Sequence, residues 1–305
     1  MSTPELNARI QAAQQAVLGQ TDRLHRDFGQ VESRWKPDGT RVTATDIAIS
    51  EGIVAELSRQ FPGDQFLSEE LAGTKDPIAV TARFSWILDP IDGTNNFALG
   101  LPHCAIALGL VENGVPVYGV VYDFSRRTLI VGGPGHGVSD GGRLVRVSGA
   151  PLTPSSLVGL HSPSDKTHLA MATGVMSQFK IRGLGSATLH LAYAATGLLD
   201  GCVDFNVKIW DLAAAIPLMQ AAGGEVHFLN GEQLPIRTFD LRMRKIVYLA
   251  GTPATFQARM KFIAETIPNG NGKLLLLPGL GHVPHLEDPA RTLTPLVAFL
   301  KEGVK

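Results

Sequence analysis

An apolar run that ends in two carboxylates is the feature that most constrains this chain. Phe84 to Leu88 has the character of a buried strand, and the run from Asp89 to Thr94 (DPIDGT) follows it without a spacer. Carboxylates at the end of a buried strand repel one another and lose hydration unless a cation compensates them. The run therefore favours a site for a hard cation such as Mg²⁺, which takes oxygen ligands. An ordinary turn remains the alternative, because Asp, Pro and Gly all favour turns.

Charge and composition exclude several classes of protein. The 305 residues include 27 basic and 28 acidic side chains, so the basic excess expected of a nucleic-acid or membrane-surface protein is absent. Cys104 and Cys202 lie in apolar stretches, which favours two buried thiols in a reducing compartment. No secretory signal and no apolar run of ~20 residues is visible, so we expect a cytoplasmic protein.

Hydrophobic periodicity divides the first half, residues 1–150, into two helices and a set of strands. One helix is predicted on the stripe of Leu6, Ile10, Ala13 and Val17. A second starts near Asp46, with Thr43 in a capping pattern, and ends at Pro62-Gly63. Asn113-Gly114 predicts a hairpin, and Gly132 to Gly142 a loop. The strands are predicted at Phe84 to Leu88, Ala105 to Val111, Val115 to Tyr122, Thr128 to Val131 and Leu144 to Val147.

After a Pro/Ser-rich break at Gly149 to Ser156, strands and helices alternate through residues 151–265. This alternation predicts an α/β second half that meets the α+β first half at a cleft. The strands are predicted at Leu157 to Leu160, Lys180 to Leu184, Val203 to Phe205, Glu225 to Phe228 and Ile246 to Ala250. The helices are predicted at Leu169 to Phe179, Ser186 to Leu199, Leu212 to Ala222 and Pro253 to Glu265.

Three further acidic segments are weak evidence when each is taken singly. Glu69-Glu70 follows a strand-like run and is typical of a solvated loop. Asp211 precedes an Ala-rich helix, where Asp is an ordinary N-cap. Thr43 and Asp46 have the same capping explanation. Their combination with the run from Asp89 to Thr94 carries the argument.

The four segments together resemble the inositol monophosphatase family of magnesium-dependent, lithium-sensitive phosphatases. The resemblance covers about residues 5–265 and implies an α+β chain folded as a layered αβαβα sandwich. It is carried by the segments Val42 to Asp46 (VTATD), Leu67 to Glu70 (LSEE), Trp86 to Phe97 (WILDPIDGTNNF), Trp210 to Ala215 (WDLAAA) and Ala221 to Gly224 (AAGG).

The resemblance also implies a set of metal ligands. Glu69, Asp89 and the backbone carbonyl of Ile91 would hold one Mg²⁺. Asp89, Asp92 and Asp211 would hold a second, with Asp89 bridging. A third and weaker Mg²⁺ near Glu69 is expected for the family, so two or three ions per subunit are implied.

Catalytic and substrate-binding residues follow by position. Asp46 and Thr94, together with Glu69, would orient and activate the attacking water. The segment Asp92-Gly93-Thr94 would contact the phosphate. Residues Gly185, Ser186 and Ala187 would contact the hydroxyl-bearing body of the substrate, as would Asp204, where the family commonly has a glutamate. That shorter side chain leaves the polyol undetermined.

Residues 266–305 do not continue the family pattern. The stretch from Leu274 to Pro289 and the apolar run ending at Leu300 resemble the last strand, histidine loop and final helix of α/β-hydrolases, with His282 as the triad base. The Gly-x-Ser-x-Gly match from Gly137 to Gly141 (GVSDG) lies inside the glycine-rich segment predicted as a loop and not at a strand-to-helix turn, so the chain shows no nucleophile elbow, which argues against ester hydrolysis by such a triad. We expect an extra strand and helix docked on the phosphatase body or at a subunit interface.

The leading hypothesis is a hydrolase of small polyol or sugar monophosphates, with inositol 1-phosphate as the default substrate. Histidinol-phosphate phosphatase and a broad sugar phosphatase acting on fructose 1,6-bisphosphate are alternatives with the same chemistry. A catalytically silent regulatory protein on the same fold is the non-enzymatic alternative. Such proteins usually lose a metal carboxylate, whereas Glu69, Asp89, Asp92 and Asp211 are all present here. The family further implies a homodimer.

Overall fold

A computed structural model describes residues 3–252, except 38, 72–75, 163–165, 167 and 232. The predicted helix from Pro253 to Glu265 and the tail 266–305 lie outside the described residues. Among the helices that are described, none combines the length and the apolar character that crossing a membrane requires.

The described part of the chain contains eight helices and sixteen strands. The helices are α1 Pro4–Leu18, α2 Thr21–Asp27, α3 Ala44–Gln60, α4 Thr94–Leu99, α5 Leu169–Gln178, α6 Ala187–Ala195, α7 Ile209–Ala213 and α8 Ala215–Ala221. The strands are β1 Ser33–Trp35, β2 Arg41–Thr43, β3 Gln65–Ser68, β4 Ile78–Ala79, β5 Phe84–Asp92, β6 Ala105–Glu112, β7 Val115–Asp123, β8 Thr128–Gly133, β9 Gly137–Asp140, β10 Arg143–Val145, β11 Leu157–Leu160, β12 Lys180–Arg182, β13 Gly201–Val207, β14 Glu225–Phe228, β15 Thr238–Phe239 and β16 Ile246–Gly251.

The first half builds a seven-stranded sheet in the order β10-β9-β8-β7-β6-β5-β3. All neighbours are antiparallel except β3, which runs parallel to β5. The predicted hairpin joins β6 to β7, with φ of 53° at Asn113 and 85° at Gly114, the two positive angles that a tight hairpin turn of this type needs. The sheet places the carboxyl end of β5 beside that of β3, and Glu69 follows β3 directly.

The second half builds a five-stranded mixed sheet in the order β12-β11-β13-β16-β14. β11 is parallel to both β12 and β13, whereas β16 is antiparallel to β13 and β14. The two large sheets fall on opposite sides of residue 150, and the described residues belong to one compact unit. A domain boundary at that residue stays a prediction.

The helices cover both sheets in alternating layers. Helices α1 and α3 pack on one face of the seven-stranded sheet. Helices α6, α7 and α8 fill the space between the two sheets, where their Ala-rich sequence allows close approach. Crossovers between parallel strands are right-handed in nearly all proteins, so those from β11 to β12 and back to β13 are expected to put α5 and α6 on opposite faces of the second sheet. The ring of His168, at the start of α5, stacks on Phe205 of β13, consistent with an outer fifth layer. The result is the predicted αβαβα sandwich.

The predicted single helix from Leu212 to Ala222 is wrong. The structure has two short helices, α7 and α8, that meet at Ala214, and α7 starts at Ile209. Pro217 explains the break, because it has no N–H to donate to the carbonyl of Ala213. Asp211 is consequently a first-turn residue of α7 and not the residue that precedes it.

Other differences from prediction have simple causes. The glycine-rich segment from Gly132 to Gly142 is not a loop throughout, since β8 extends to Gly133 and β9 begins at Gly137. Glycine lets these strands approach closely, because a Cβ on Gly132 would lie 2.3 Å from the Gly137 carbonyl oxygen. Helix α6 ends at Ala195, earlier than predicted, because Gly197 follows with φ of 77°.

Candidate active site

A β-bulge turns both motif aspartates of β5 toward the same side. Asp89 pairs with Ala107 and Asp92 with Ala105, so three steps along β5 match two along β6. Without the extra residue, side chains three positions apart would point to opposite faces of the sheet. Pro90 lies inside the bulge, where its missing N–H removes no ladder bond. The sequence thus sets two carboxylates side by side on a rigid, fully buried strand end.

Asp211 completes a three-carboxylate cluster from α7. One oxygen each of Asp89, Asp92 and Asp211 lies within 4.8 Å of the others. Asp211 Oδ2 accepts a hydrogen bond from the backbone N–H of Lys208 at 2.7 Å, which fixes the orientation of the side chain. An all-oxygen set of buried carboxylates fits the ligand preference of Mg²⁺.

Helix α6 holds Asp92 from the far side. Asp92 Oδ2 accepts hydrogen bonds from the Ser186 hydroxyl at 2.5 Å and from the Thr188 amide at 2.7 Å. These partners leave Asp92 Oδ1 for the cluster. Thr188 also donates its hydroxyl to the backbone carbonyl of Asp211 at 2.8 Å, so it fixes two of the three carboxylate residues.

Glu69 lies beside this cluster and is bound to a lysine. Lys36 Nζ donates to Glu69 Oε1 at 2.5 Å and to Glu70 Oε1 at 2.8 Å. Burial lowers the pKa of Lys36, but the two facing carboxylates outweigh it and raise that pKa above its ordinary range. Lys36 therefore carries a positive charge against Glu69 in this structure.

Asp46 and Thr94 are in contact, as the family pattern implies. Thr43 caps α3 in the predicted way: its backbone N–H and its hydroxyl both donate to Asp46 Oδ2, at 2.8 and 2.5 Å. The other oxygen, Asp46 Oδ1, accepts from the Thr94 hydroxyl at 3.1 Å. The same Thr94 hydroxyl lies 2.9 Å from the carbonyl oxygen of Ile91, so the two acceptors share its single proton. One buried carboxylate thus orients the hydroxyl at the start of α4.

Glycines shape the side of the site next to α4 and α6. Gly93 has φ of 88°, and a Cβ there would lie 2.8 Å from the His103 carbonyl oxygen and 3.3 Å from that of Gly185. Gly185 has φ of 70°, and its Cβ would lie 2.8 Å from the Asn96 side chain. Gly93 is half-buried and Gly185 exposed, so a ligand can approach backbone at both positions.

The other residues predicted to contact substrate are enclosed. Ser186 is 0 % and Ala187 1 % exposed. Asp204 is 0 % exposed, and its carboxylate accepts from the His161 amide at 2.6 Å and the Tyr248 hydroxyl at 2.7 Å. His190 Nδ1 lies 3.2 Å from the same carboxylate. The Asp204 side chain is thus enclosed by its own hydrogen-bond partners, and its contact with substrate stays a prediction.

Burial and mutual repulsion raise the pKa values of the clustered carboxyls. Burial is the main cause that raises the pKa of Asp89 well above its ordinary value, and the charges of Glu69, Asp92, Asp211 and Asp46 raise it further. Burial and Asp92 do the same to the pKa of Asp211. Burial also raises the pKa of Asp92, opposed by the hydrogen bonds from α6 and by His161. Such a cluster binds either protons or a cation.

Stability without metal should therefore depend on pH. Burial raises the pKa of Asp46 to about 6, and that of Glu69 to about 7 against the opposing charge of Lys36. In the unfolded chain these carboxyls titrate near pH 4. Because the folded state binds these protons more tightly than the unfolded chain, the contribution of Asp46 and Glu69 to stability is largest below about pH 4. That contribution is lost as the pH rises through 6 and 7.

Thermal unfolding in a chelator across this pH range measures the effect. We expect the unfolding temperature of the metal-free protein to fall between about pH 5 and about pH 8. Mg²⁺ at about a hundred times its dissociation constant should restore about 3 kcal/mol at the upper end. A rise with pH in the chelator would contradict the arrangement of carboxyls described above.

Three residues near the cluster were not predicted as site residues. Lys36 follows an exposed Trp and looks like a surface residue in the sequence. Thr188 lies in an apolar helix, where nothing in the sequence marks its contacts. His161 follows β11 at the edge of a segment whose side chains are mostly apolar. Only the proximity of their elements in the fold reveals them.

Comparison with known proteins points to a single family. A model of the inositol monophosphatase family matches residues 2–266. The inositol-1-monophosphatase of Mesorhizobium japonicum is 35 % identical over 237 residues, which cover 75 % of this chain and 86 % of that protein. Nus factor SuhB of Pseudomonas aeruginosa is 32 % identical over 276 residues, which cover 87 % and 97 % respectively.

Solved structures show the same architecture. The extragenic suppressor protein suhB of Bartonella henselae superposes with a TM-score of 0.74 at 29 % identity, covering 85 % of this chain and 100 % of that one. The IMPase of Thermotoga maritima gives a TM-score of 0.70 at 27 % identity, covering 86 % and 98 %. On its sequence match and its fold, this chain belongs to the inositol monophosphatase family.

Proposed function

We propose that this chain is a Mg²⁺-dependent phosphomonoesterase that hydrolyses inositol 1-phosphate or a similar small polyol or sugar monophosphate. Family membership supports a phosphatase. The observation that carries the proposal is the buried cluster of Asp89, Asp92 and Asp211 beside the Asp46–Thr94 pair. We propose two or three Mg²⁺ per subunit, held by this cluster together with Glu69 and the Ile91 carbonyl. A homodimer in the cytoplasm is part of the proposal.

The chain's own residues support attack by water. Bound Mg²⁺ would neutralise phosphoryl charge and lower the pKa of a coordinated water. In the reacting complex the Thr94 hydroxyl would direct its one proton to Asp46 and not to the Ile91 carbonyl, which leaves the Thr94 oxygen free to accept a hydrogen bond from a water. As that water attacks phosphorus, its proton passes through Thr94 to Asp46, whose burial raises its pKa to about 6 and so suits proton transfer near neutral pH. The P–O ester bond breaks and the leaving alkoxide takes a proton from solvent.

Positioning accounts for the remaining chemistry. Gly93 and Thr94 are half-buried at the start of α4, next to Asp92, where a phosphate would lie against backbone. Gly185 is exposed on the adjacent segment, where the polyol would lie. No covalent intermediate is needed, because Asp89 and Asp92 are both assigned to metal. Histidinol phosphate and fructose 1,6-bisphosphate remain alternative substrates of this same site.

A catalytically silent protein is the second candidate. It is favoured by relatives that carry the name Nus factor SuhB, one of them 32 % identical to this chain. Against it stands the complete set of carboxylates: Asp89, Asp92 and Asp211 form one cluster, and Glu69 lies close enough to act on Asp89. A silent protein has no need to keep this arrangement.

Phosphate release separates these candidates. The purified full chain is incubated with inositol 1-phosphate, histidinol phosphate, fructose 1,6-bisphosphate and phenyl phosphate, with Mg²⁺ or with a chelator. We expect release only with Mg²⁺, and fastest for a polyol or sugar ester. A folded protein that releases no phosphate from any of these esters would refute the enzymatic proposal.

A further inference from the structure

A short segment of three residues, Gly183-Leu184-Gly185, joins strand β12 to the N-cap of helix α6. We call it the glycine segment. Both glycines are exposed, and Gly185 has φ of 70°, whereas Leu184 is half-buried. A glycine on each side of Leu184 gives this backbone little stiffness of its own. Contacts from elsewhere in the fold must therefore hold the glycine segment at its place beside the candidate active site.

Asn96 of α4 holds the carbonyl end of Leu184. Its side chain is buried, and Nδ2 donates to the carbonyl oxygen of Leu184 at 2.8 Å and to that of His103 at 2.7 Å. Both partners can only accept, so the amide presents its NH₂ group to them and uses both hydrogens. Because a peptide bond is planar, the bond to the Leu184 carbonyl also fixes the orientation of the Gly185 amide.

His190 of α6 holds the amide end of the same residue. Its Nε2 accepts a hydrogen bond from the Leu184 amide at 3.0 Å, so the ring proton is on Nδ1, which lies 3.2 Å from the Asp204 carboxylate. This tautomer leaves no lone pair for a cation, although atoms of His161, His190 and Asp204 lie within 4.8 Å of one another. Leu184 is thus held at its two backbone groups by side chains of two different helices.

The start of α4 has contacts of its own that do not involve the Asn96 side chain. The Thr94 hydroxyl lies 3.1 Å from Asp46 Oδ1. The Phe97 amide donates to the Gly93 carbonyl at 3.0 Å, and the Phe97 side chain is fully buried. Loss of the Asn96 side chain should therefore leave the start of α4 in place and release mainly the glycine segment.

We propose that Asn96 is a positioning residue that sets the spacing between the phosphate-binding backbone at Gly93 and the polyol-binding backbone at Gly185. The proposal rests on the proposed function, which places the phosphate at one glycine and the polyol at the other. The two backbones lie close together, since a Cβ on Gly93 would lie 3.3 Å from the Gly185 carbonyl oxygen. A fixed spacing favours compact polyol monophosphates, whose hydroxyls lie at a short and defined distance from the ester. Asn96 itself contacts neither substrate nor metal in this role.

Two esters test this role on the full chain with Mg²⁺. One is the polyol phosphate that the wild type hydrolyses fastest, and the other is phenyl phosphate, whose leaving group carries no hydroxyl. For Asn96→Ala we expect KM for the polyol ester to rise about tenfold, the size of one lost hydrogen bond, because a mobile glycine segment binds the polyol less well. We expect kcat for that ester, and both constants for phenyl phosphate, to stay within about twofold of the wild type.

Amide hydrogen exchange measures the positioning directly and without substrate. In Asn96→Ala the amides of the glycine segment should exchange at least about tenfold faster than in the wild type, because the segment opens locally more often. Asn95→Ala is the matched control for both measurements, since Asn95 is the neighbouring asparagine on the same helix and is exposed. It should behave as the wild type does. If Asn96→Ala does not fold, Asn96→Ser replaces it with the same expectations.

The outcomes distinguish this role from the proposed function. Equal losses on both esters, no loss on either, or unchanged exchange of the glycine segment would overturn the role of Asn96 and leave the phosphatase proposal standing. A wild type that hydrolyses neither ester would refute the proposed function, and the role of Asn96 in substrate selection with it.

Discussion

Asp92→Asn should reduce kcat/KM for any accepted phosphate ester by about a thousandfold or more while the protein stays folded. The amide oxygen of Asn can accept the bonds from Ser186 and Thr188 that now go to Asp92 Oδ2. Its NH₂ group then faces Asp89 and Asp211, where it cannot bind a cation. The variant therefore removes one anionic ligand and keeps the contacts to α6.

Stability distinguishes this effect from unfolding. In a chelator at neutral pH, Asp92→Asn should unfold at the wild-type temperature or above it, because one of three mutually repelling buried carboxyls is gone. Added Mg²⁺ should stabilise it less than it stabilises the wild type. Asp76→Asn is the matched control, since that side chain is 89 % exposed. Retained turnover in Asp92→Asn would mean that the ligand assignment is wrong.

Gly119→Ala should destabilise the fold by about 3 kcal/mol or more, through overpacking. Gly119 of β7 pairs with Gly109 of β6, and the two form a flat patch under the junction of α7 and α8. A Cβ on Gly119 would lie 1.7 Å from the backbone oxygen of Ala214, and one on Gly109 would lie 2.7 Å from that of Ala213. The obstructing atoms are backbone, so the helices themselves must move.

The displaced helix α7 carries Asp211, so Mg²⁺ affinity should fall together with stability. Chemical denaturation and Mg²⁺ titration of unfolding temperature measure both quantities. Gly63→Ala is the matched control, because a Cβ on Gly63 meets no atom within 4 Å and its backbone is compatible with Ala. Wild-type stability in Gly119→Ala would show that the helices tolerate a larger separation from the sheet than the structure indicates.

Local chemistry made part of this site predictable. Thr43 and Asp46 have the spacing of a capping box, and the structure contains that box. Asn113-Gly114 accommodates the positive φ angles of a tight turn, and the hairpin is there. The strand that ends at Asp89 and Asp92 was visible because apolar residues stop abruptly at two charges. Each of these signals depends on residues close together in sequence.

Features that depend on distant residues were not predictable. The pairing of Lys36 with Glu69 requires the chain to bring β1 and β2 beside the end of β3, and neither short strand has a marked pattern. The enclosure of Asp204 depends on a hydrogen bond from Tyr248, which lies 44 residues later in the sequence. The break between α7 and α8 was hidden by the strong helix propensity of the alanines around Pro217. The layered αβαβα arrangement was predicted from the resemblance to a family, whereas hydrophobic periodicity alone predicted only the individual helices and strands.

The attachment of Asp92 to α6 has a consequence for how the chain acquires ion affinity. Asp89 and Asp92 come from the first sheet, but Asp211 and the two groups that hold Asp92 come from helices formed much later in the sequence. A nascent or partly unfolded chain in which only the first sheet has formed would present two untethered carboxylates and bind Mg²⁺ weakly. In the proposed enzyme, tight ion binding would therefore require that the early and late segments have already docked, and would not guide the folding of either one.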